Sequence, residues 1–440
     1  LSLFSEVSYF LAFLFAFLIP GYVITEAFFR ELRLGEKILL YVLLSILIST
    51  HAVYWFSMAF GYSKETIILV SSLFVPFFLF IPIKKPEFEM DKAEVVFLIV
   101  VFLITFFTLF DSVWVPSETG IILTGSNWQD TPKRYGIVES INQGNFPPEM
   151  SYYAGEKMKS HYFFDFHTAI IEKLMGGFHP KLFVVVASVT MVLFALSLYL
   201  FALYITRNKK AAIYAGIIGV FGAGFSYFRF FQDFIAYDGF SHPFETFLSL
   251  LSHNYSMEYG KFFLIPPVFE NMLQQRPQMM GLPCLIACMY FLYKGFSESD
   301  SKQILIAGII AGTVFPFHVI SYFSCIFLST FVFASFFRET RDMPKKVFLF
   351  LAPSVVSLPF YISVILFASG MDSVLKLNLG WWVEDKTILG LTKFYIGNLG
   401  IPFILSIVYL VYSIKKGKKA VSYTHLRAHE TRHDLVCRLL

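Results

Sequence analysis

Six side chains of this 440-residue sequence have the types and settings from which chemistry can be built: Asp130, His161, Asp165, His167, Arg276 and His318. Asp130 is followed by Pro132 and then by Ile137, Val138 and Ile141 at helical spacing, which predicts that it stands at the start of a helix. A carboxylate there caps the helix. The same carboxylate, within reach of a substrate hydroxyl, serves as a general base. The string His161-Tyr-Phe-Phe-Asp165-Phe-His167 places a histidine and an aspartate four apart, a spacing that puts both on one helix face. Gln275-Arg276-Pro277 sets a guanidinium at the start of an apolar run, where it either snorkels to water or binds an anion through paired hydrogen bonds. His318 closes Phe315-Pro316-Phe317-His318 between two apolar runs. Of the seven histidines before residue 421, only His51 falls well inside an apolar run. The other six, His161, His167, His179, His242, His253 and His318, fall in or beside polar-aromatic segments. Titratable groups gathered in this way point to a functional face.

The elements that must position these residues are membrane helices. Only 15% of the chain is charged and 56% is hydrophobic, with a mean hydropathy of +0.64. A water-soluble surface takes roughly a quarter charged residues, so lipid must be part of the solvent. The net charge of +4 is small and dispersed, which excludes nucleic-acid binding by a basic patch. Spans of about 20 apolar residues are predicted at 5–28, 38–60, 66–83, 94–112, 181–206, 211–230, 278–295, 303–317, 319–337, 347–369 and 397–414. The predicted fold is therefore all-α and polytopic, with about eleven transmembrane helices. Basic residues fall in alternate loops: Arg30, Arg33 and Lys37; Lys84, Lys85 and Lys92; Arg207, Lys209 and Lys210; Lys294 and Lys302; Arg338, Arg341, Lys345 and Lys346; Lys415, Lys416, Lys418 and Lys419. With these loops cytoplasmic, segments of about 113–180, 231–277 and 370–396 lie outside and are expected to carry short surface helices. Cys284, Cys288 and Cys325 sit in apolar runs and read as small packing residues.

Both ends look artificial. The chain begins at Leu1 within an apolar run. Residues 421–440, VSYTHLRAHETRHDLVCRLL, break abruptly from what precedes them. That string resembles the translation of a transposon-type sequencing adapter and is set apart as a non-native tail. Residues 1–420 then form one transmembrane domain, expected to be truncated at both ends.

Together, the Asp at a helix start, Gly-Asn-Phe-Pro-Pro-Glu at 144–149, the Ala154-Gly155 turn and His161-Tyr-Phe-Phe-Asp-Phe-His resemble the GT-C membrane glycosyltransferases of archaea and bacteria. These are relatives of the protein mannosyltransferases and oligosaccharyltransferases. Gln275-Arg276-Pro277 and the 315–318 turn resemble two further blocks of that group, and the likeness covers about 95–340. Here the aspartate is single and its loop follows the fourth predicted span, where the family usually has an acidic pair after the first. The resemblance implies transfer of a sugar, by an inverting step, from a polyprenyl-phosphate donor to a glycan, lipid or protein acceptor at the external face of a prokaryotic, archaeal-type cell membrane. It implies Asp130 as catalytic base, and Arg276, Gln275, His161, Asp165, His167 and His318 as substrate-binding residues. It leaves a divalent metal, magnesium or manganese, open.

Two other classes fit an all-helical membrane chain. A transporter or flippase for lipid-linked glycans predicts ionisable pairs deep within spans and broken, repeat-related helices. A non-catalytic assembly subunit predicts that no external carboxylate matters. Trp381 and Trp382, beside Glu384, read as belt aromatics at the membrane interface in preference to a sugar platform.

Overall fold

A computed structural model describes residues 2–81, 90–118, 120–123, 130–150, 153–158, 161–177, 179, 181–222, 225, 227–250, 276–362 and 385–415. The chain divides into two units, Leu1–Phe221 with Val268–Lys376, and Gly222–Pro267 with Leu377–Leu440. The tail at 421–440, the 363–384 segment with Trp381 and Trp382, and Gln275 lie outside the described residues.

The first unit is built from α1 (Ser2–Phe17), α2 (Ile19–Phe28), α3 (Leu34–Phe60), α4 (Lys64–Phe80), α5 (Lys92–Phe107), two short hairpins β1 (Trp114–Ser117) with β2 (Gly120–Leu123), and, after α6 (Asp130–Asn142), β3 (Glu149–Met150) with β4 (Tyr153–Lys157). It continues with α7 (Phe163–Met175), α8 (Leu182–Thr206) and α9 (Lys209–Phe221). The helices α12 (Arg276–Ser297), α13 (Ser301–Val314), α14 (Val319–Phe336) and α15 (Met343–Leu351) complete it. Between α9 and α12 the second unit contributes α10 (Tyr227–Ala236) and α11 (Pro243–Leu250), and it ends with α16 (Ile388–Lys415).

Seven helical segments among the described residues are long and apolar enough to cross a membrane, or eight if a bent pair in α16 counts as one span. The protein is an all-helical, polytopic membrane protein. Among the described residues each of the eleven predicted spans overlaps helix, but the structure supports a lower count by length. The helices at 66–83, 211–230 and 303–317 have 17, 13 and 14 residues in α4, α9 and α13. Side chains such as Val96, Ile99 and Leu103 on α5, and Phe323, Phe327 and Phe331 on α14, are exposed although wholly apolar, as lipid-facing positions require. Close packing is secured where glycine removes a side chain: a Cβ on Gly21 of α2 would collide with the Tyr41 carbonyl of α3, and the Gly21 amide donates to Ser45 Oγ at 2.8 Å.

One end of this unit is a rim of ion pairs between helix ends. Glu31 meets Lys302, Glu36 meets Lys294 and the Tyr290 hydroxyl, and Glu26 accepts from Lys37 Nζ at 2.8 Å and from Tyr41. Lys209 Nζ lies 3.0 Å from Asp91 and 3.2 Å from Glu94, which also accepts from Tyr199. Members of three of the predicted basic clusters thus share one end of the bundle. From Glu36 in the first turn of α3 to Met58 near its other end, 22 residues at ~1.5 Å each span about 33 Å, close to the ~30 Å hydrocarbon thickness of a bilayer.

Candidate functional site

The end of the bundle away from that rim holds the residues singled out from the sequence. α6 begins at Asp130, as its spacing predicted. Ile137, Val138 and Ile141 are fully buried, and with Tyr135 stacked on Phe183 at 3.8 Å between centroids they fix the helix against its neighbours. One turn beyond Asp130, Arg134 reaches across to α7. Its Nη1 donates to Asp165 Oδ2 at 3.0 Å and to the His161 carbonyl at 3.3 Å. Asp165 is fully buried, so this guanidinium supplies the opposite charge that a buried carboxylate needs.

The predicted sharing of one helix face by His161 and Asp165 is corrected. α7 starts at Phe163 with Tyr162 as its cap residue, so His161 precedes the helix, and Arg134 joins the two residues instead. The Phe163 amide donates to the Pro316 carbonyl at 3.2 Å. That bond ties the start of α7 to the turn between α13 and α14, and it brings the His161 and His318 rings to 5.6 Å, edge to face. His318 is the cap residue of α14, and its Nδ1 lies 2.8 Å from Ser321 Oγ. Its ring packs on α12 at Gly281, where any Cβ would collide with both His318 and Ser321.

Both rings are held neutral. Burial pushes His161 down to about 3, with Arg134, His318 and Lys133 adding repulsion. Burial, then Arg134, pushes His318 down to about 4. At neutral pH each therefore offers one N–H donor and one nitrogen acceptor.

Beside the pair opens a cavity of about 180 Å³. Tyr54, Tyr162, Phe315 and Phe360 wall it, Pro147 and Pro148 border it, and Lys157 and His161 supply its polar edge. Pockets for drug-sized ligands run to about 300–1,000 Å³, so this one suits a single ring-sized group. The Met158 amide, donating to the Pro148 carbonyl at 2.8 Å, closes the Gly-Asn-Phe-Pro-Pro-Glu segment over it.

Among the other predicted site residues, His167 does not line this cavity. It is buried among α7, α3 and α1, with Nδ1 2.9 Å from Thr50 Oγ1 and its ring edge-on to Phe17. Arg276 is the first residue of α12, five residues before Gly281, so its main chain lies within two helical turns of the His318 contact. The side chains of Asp130 and Arg276 lie outside the described residues. Arg134 and Lys157 were not singled out from the sequence. The available signal for Arg134 was its position four residues after Asp130 on the same helix.

The described polar side chains lining the cavity are Lys157, His161, Tyr54 and Tyr162, and His318 and the Arg134–Asp165 pair stand behind His161. Magnesium and manganese prefer oxygen ligands, and no group of three metal-ligating side chains occurs among the described residues. The chain matches no family model, no curated protein and no solved structure.

Proposed function

We propose that this protein is a membrane glycosyltransferase that transfers a sugar, with inversion, from a polyprenyl-phosphate donor to a hydroxyl-bearing acceptor at the external face of the membrane. One observation carries the reading. A ring-sized, aromatic-walled cavity edged by Lys157 and His161, with His161 held by His318 and Arg134 behind it, lies about one bilayer thickness along α3 from the ion-paired rim. Sugars are bound by aromatic faces together with neutral donors and acceptors, and a neutral histidine pair provides the latter. Lys157 at the edge, with Arg134 and Lys133 close by, sets a positive potential suited to a lipid phosphate.

In this reading the acceptor oxygen attacks the anomeric carbon and the bond from that carbon to the phosphate oxygen breaks. Asp130, at the start of α6, takes the acceptor proton. Arg276 opposes the charge that grows on the departing phosphate. Both assignments rest on the resemblance in sequence. Arg134 acts at one remove, holding Asp165 and the His161 main chain. No step is routed through a metal.

The position of the buried ionisable groups favours surface chemistry over transport. Glu36 and Glu94 sit in the first turns of α3 and α5, and Lys294 in the last turn of α12, each paired at the rim. A transport path places such pairs at mid-depth. The test is transfer of radiolabelled sugar from a polyprenyl-phosphate donor by the reconstituted chain. Asp130→Asn keeps a side-chain oxygen able to cap α6, so the fold should survive while turnover falls by roughly 10²–10⁴-fold. Unchanged turnover in that variant would remove the catalytic role.

A further inference from the structure

In the second unit, α10 and α11 are joined by a tight turn and closed by their own aromatic rings. Phe230 and Phe234 stack on each other at 6.1 Å, Phe230 meets Phe247 edge-on at 5.9 Å, and Phe234 meets Phe240 likewise. Gly239 lies so close to Phe234 that no Cβ fits, and its amide donates to the Phe234 carbonyl at 2.7 Å. At roughly 100° per residue, Arg229, Gln232, Asp233 and Ala236 fall on one arc of α10. Phe228, Phe230, Phe231, Phe234 and Ile235 fill the rest. Only part of this apolar arc is used by the hairpin. Phe228, Phe231 and Ile235 are exposed, as are Phe240 at 80%, Phe244 at 72% and Leu248.

We infer that the hairpin 227–250 lies in the boundary between lipid headgroups and acyl chains, with its exposed aromatic face inserted. Three observations select lipid as the occupant. α10 has 10 residues and reaches only ~15 Å, so it cannot cross the ~30 Å core. Its polar arc opposite a broad aromatic one is the pattern of helices that lie in the interface plane. The hairpin is also tied to a membrane helix within the same unit. α16 bends by 114° between Ile388–Gly397 and Leu399–Tyr412, and the Phe225 amide, just before α10, donates to the Gly397 carbonyl at that bend at 2.9 Å. The second arm exposes Ile401, Leu405, Val408 and Tyr409 as a lipid-facing helix does. With that arm along the membrane normal, the other arm lies near the membrane plane, and α10 starts at the corner between them.

The charges of the hairpin define the kind of lipid. Arg229 is outnumbered by Asp233, Asp238 and Glu245, with His242 3.9 Å from Glu245. Attraction to anionic headgroups is therefore absent, and insertion rests on apolar area, so zwitterionic phosphatidylcholine suffices. The inference does not depend on the proposed enzymatic activity.

The test uses the full chain, with its four native cysteines replaced by alanine, in phosphatidylcholine vesicles. Single cysteines at 231, 235, 244 and, as the polar reference, 232 carry an environment-sensitive fluorophore. Labels at 231, 235 and 244 should be quenched several-fold more by a lipid with a shallow nitroxide than by aqueous iodide, and the label at 232 should show the reverse. Iodide quenching at 231 and 244 equal to that at 232 would mean a solvated face. Shielding from both quenchers would mean that protein, from this chain or a second copy, covers it. Either result overturns the inference. The unsubstituted protein gives an independent readout: a lipid with a photoreactive group high in its acyl chain should label the 227–250 peptide, and absence of label there, with label on α5 or α14, counts against insertion.

Discussion

Replacing Arg134 by glutamine removes the charge that faces Asp165 while keeping a side chain of similar length. The 3.0 Å pair has a fully buried carboxylate and a mostly buried guanidinium. Removing one partner of a buried pair costs roughly 3–5 kcal/mol, because the other charge stays behind uncompensated. Asp165 has further interactions, so the expected loss is at the lower end, about 3 kcal/mol, or more than a hundredfold in the unfolding constant. Reversible unfolding in mixed micelles measures it. Asp165→Asn added to Arg134→Gln removes the stranded charge and should recover about 1–2 kcal/mol. The pair would then be shown to act as a unit. A single variant within about 0.5 kcal/mol of the parent, or a double variant equal to the sum of the two singles, would show that Arg134 is a solvated surface residue and that the site is not organised around it.

The histidine pair predicts an acid-sensitive fold. Burial and Arg134 depress both rings in the folded state, to about 3 for His161 and about 4 for His318, against about 6.5 unfolded. The unfolded chain then binds more protons between these values, so the contribution is complete above about pH 6.5 and is lost as pH falls toward the folded values, by up to about 1.4 kcal/mol per pH unit for each ring. Thermal unfolding from pH 7.5 to 4.5 reads this, and a double His161→Gln, His318→Gln variant with an equally steep profile would refute the assignment. For topology, a cysteine at exposed position 157 should react with a membrane-impermeant maleimide on intact cells, whereas one at 209 should react only after permeabilisation. The native Cys284, Cys288 and Cys325 are buried and should stay silent. Labelling of 209 on intact cells would invert the orientation read from the basic loops.

Run length and hydropathy located the helices because a membrane span must be apolar over its whole length. They overstated the spans because hydropathy does not register where the main chain leaves the helix. The 211–230 run is apolar almost throughout, yet α9 ends at Phe221 next to Gly222, and a separate amphipathic helix follows. In the first span, a break at Leu18 precedes Pro20. The bend in α16 falls at Gly400, two residues before Pro402, a Gly-x-Pro pattern that could have been read as a break. The two hairpins escaped notice because strands of two to five residues leave too little alternation to detect.

The site was legible in its members and not in its wiring. His161 stood out because it opens an aromatic run in a polar-aromatic segment, and His318 because it closes one between two predicted spans. Their contact spans 157 positions of sequence and depends on the main-chain bond from Phe163 to Pro316. Helical spacing suggested that Asp165 would join His161 directly, but that holds only if the helix has begun by residue 161. It begins at Phe163, and the carboxylate turns inward, where burial without a cation is prohibitive. A cation had to be supplied from another element, and Arg134 on α6 supplies it. The same late start sends His167 toward Thr50 and Phe17, so one helix boundary decides which histidine faces the cavity and which is packed in the bundle. A buried acid within an aromatic segment is therefore a cue to look for its partner on the neighbouring amphipathic helix, and here that search leads from Asp165 to Arg134 and back one turn to Asp130.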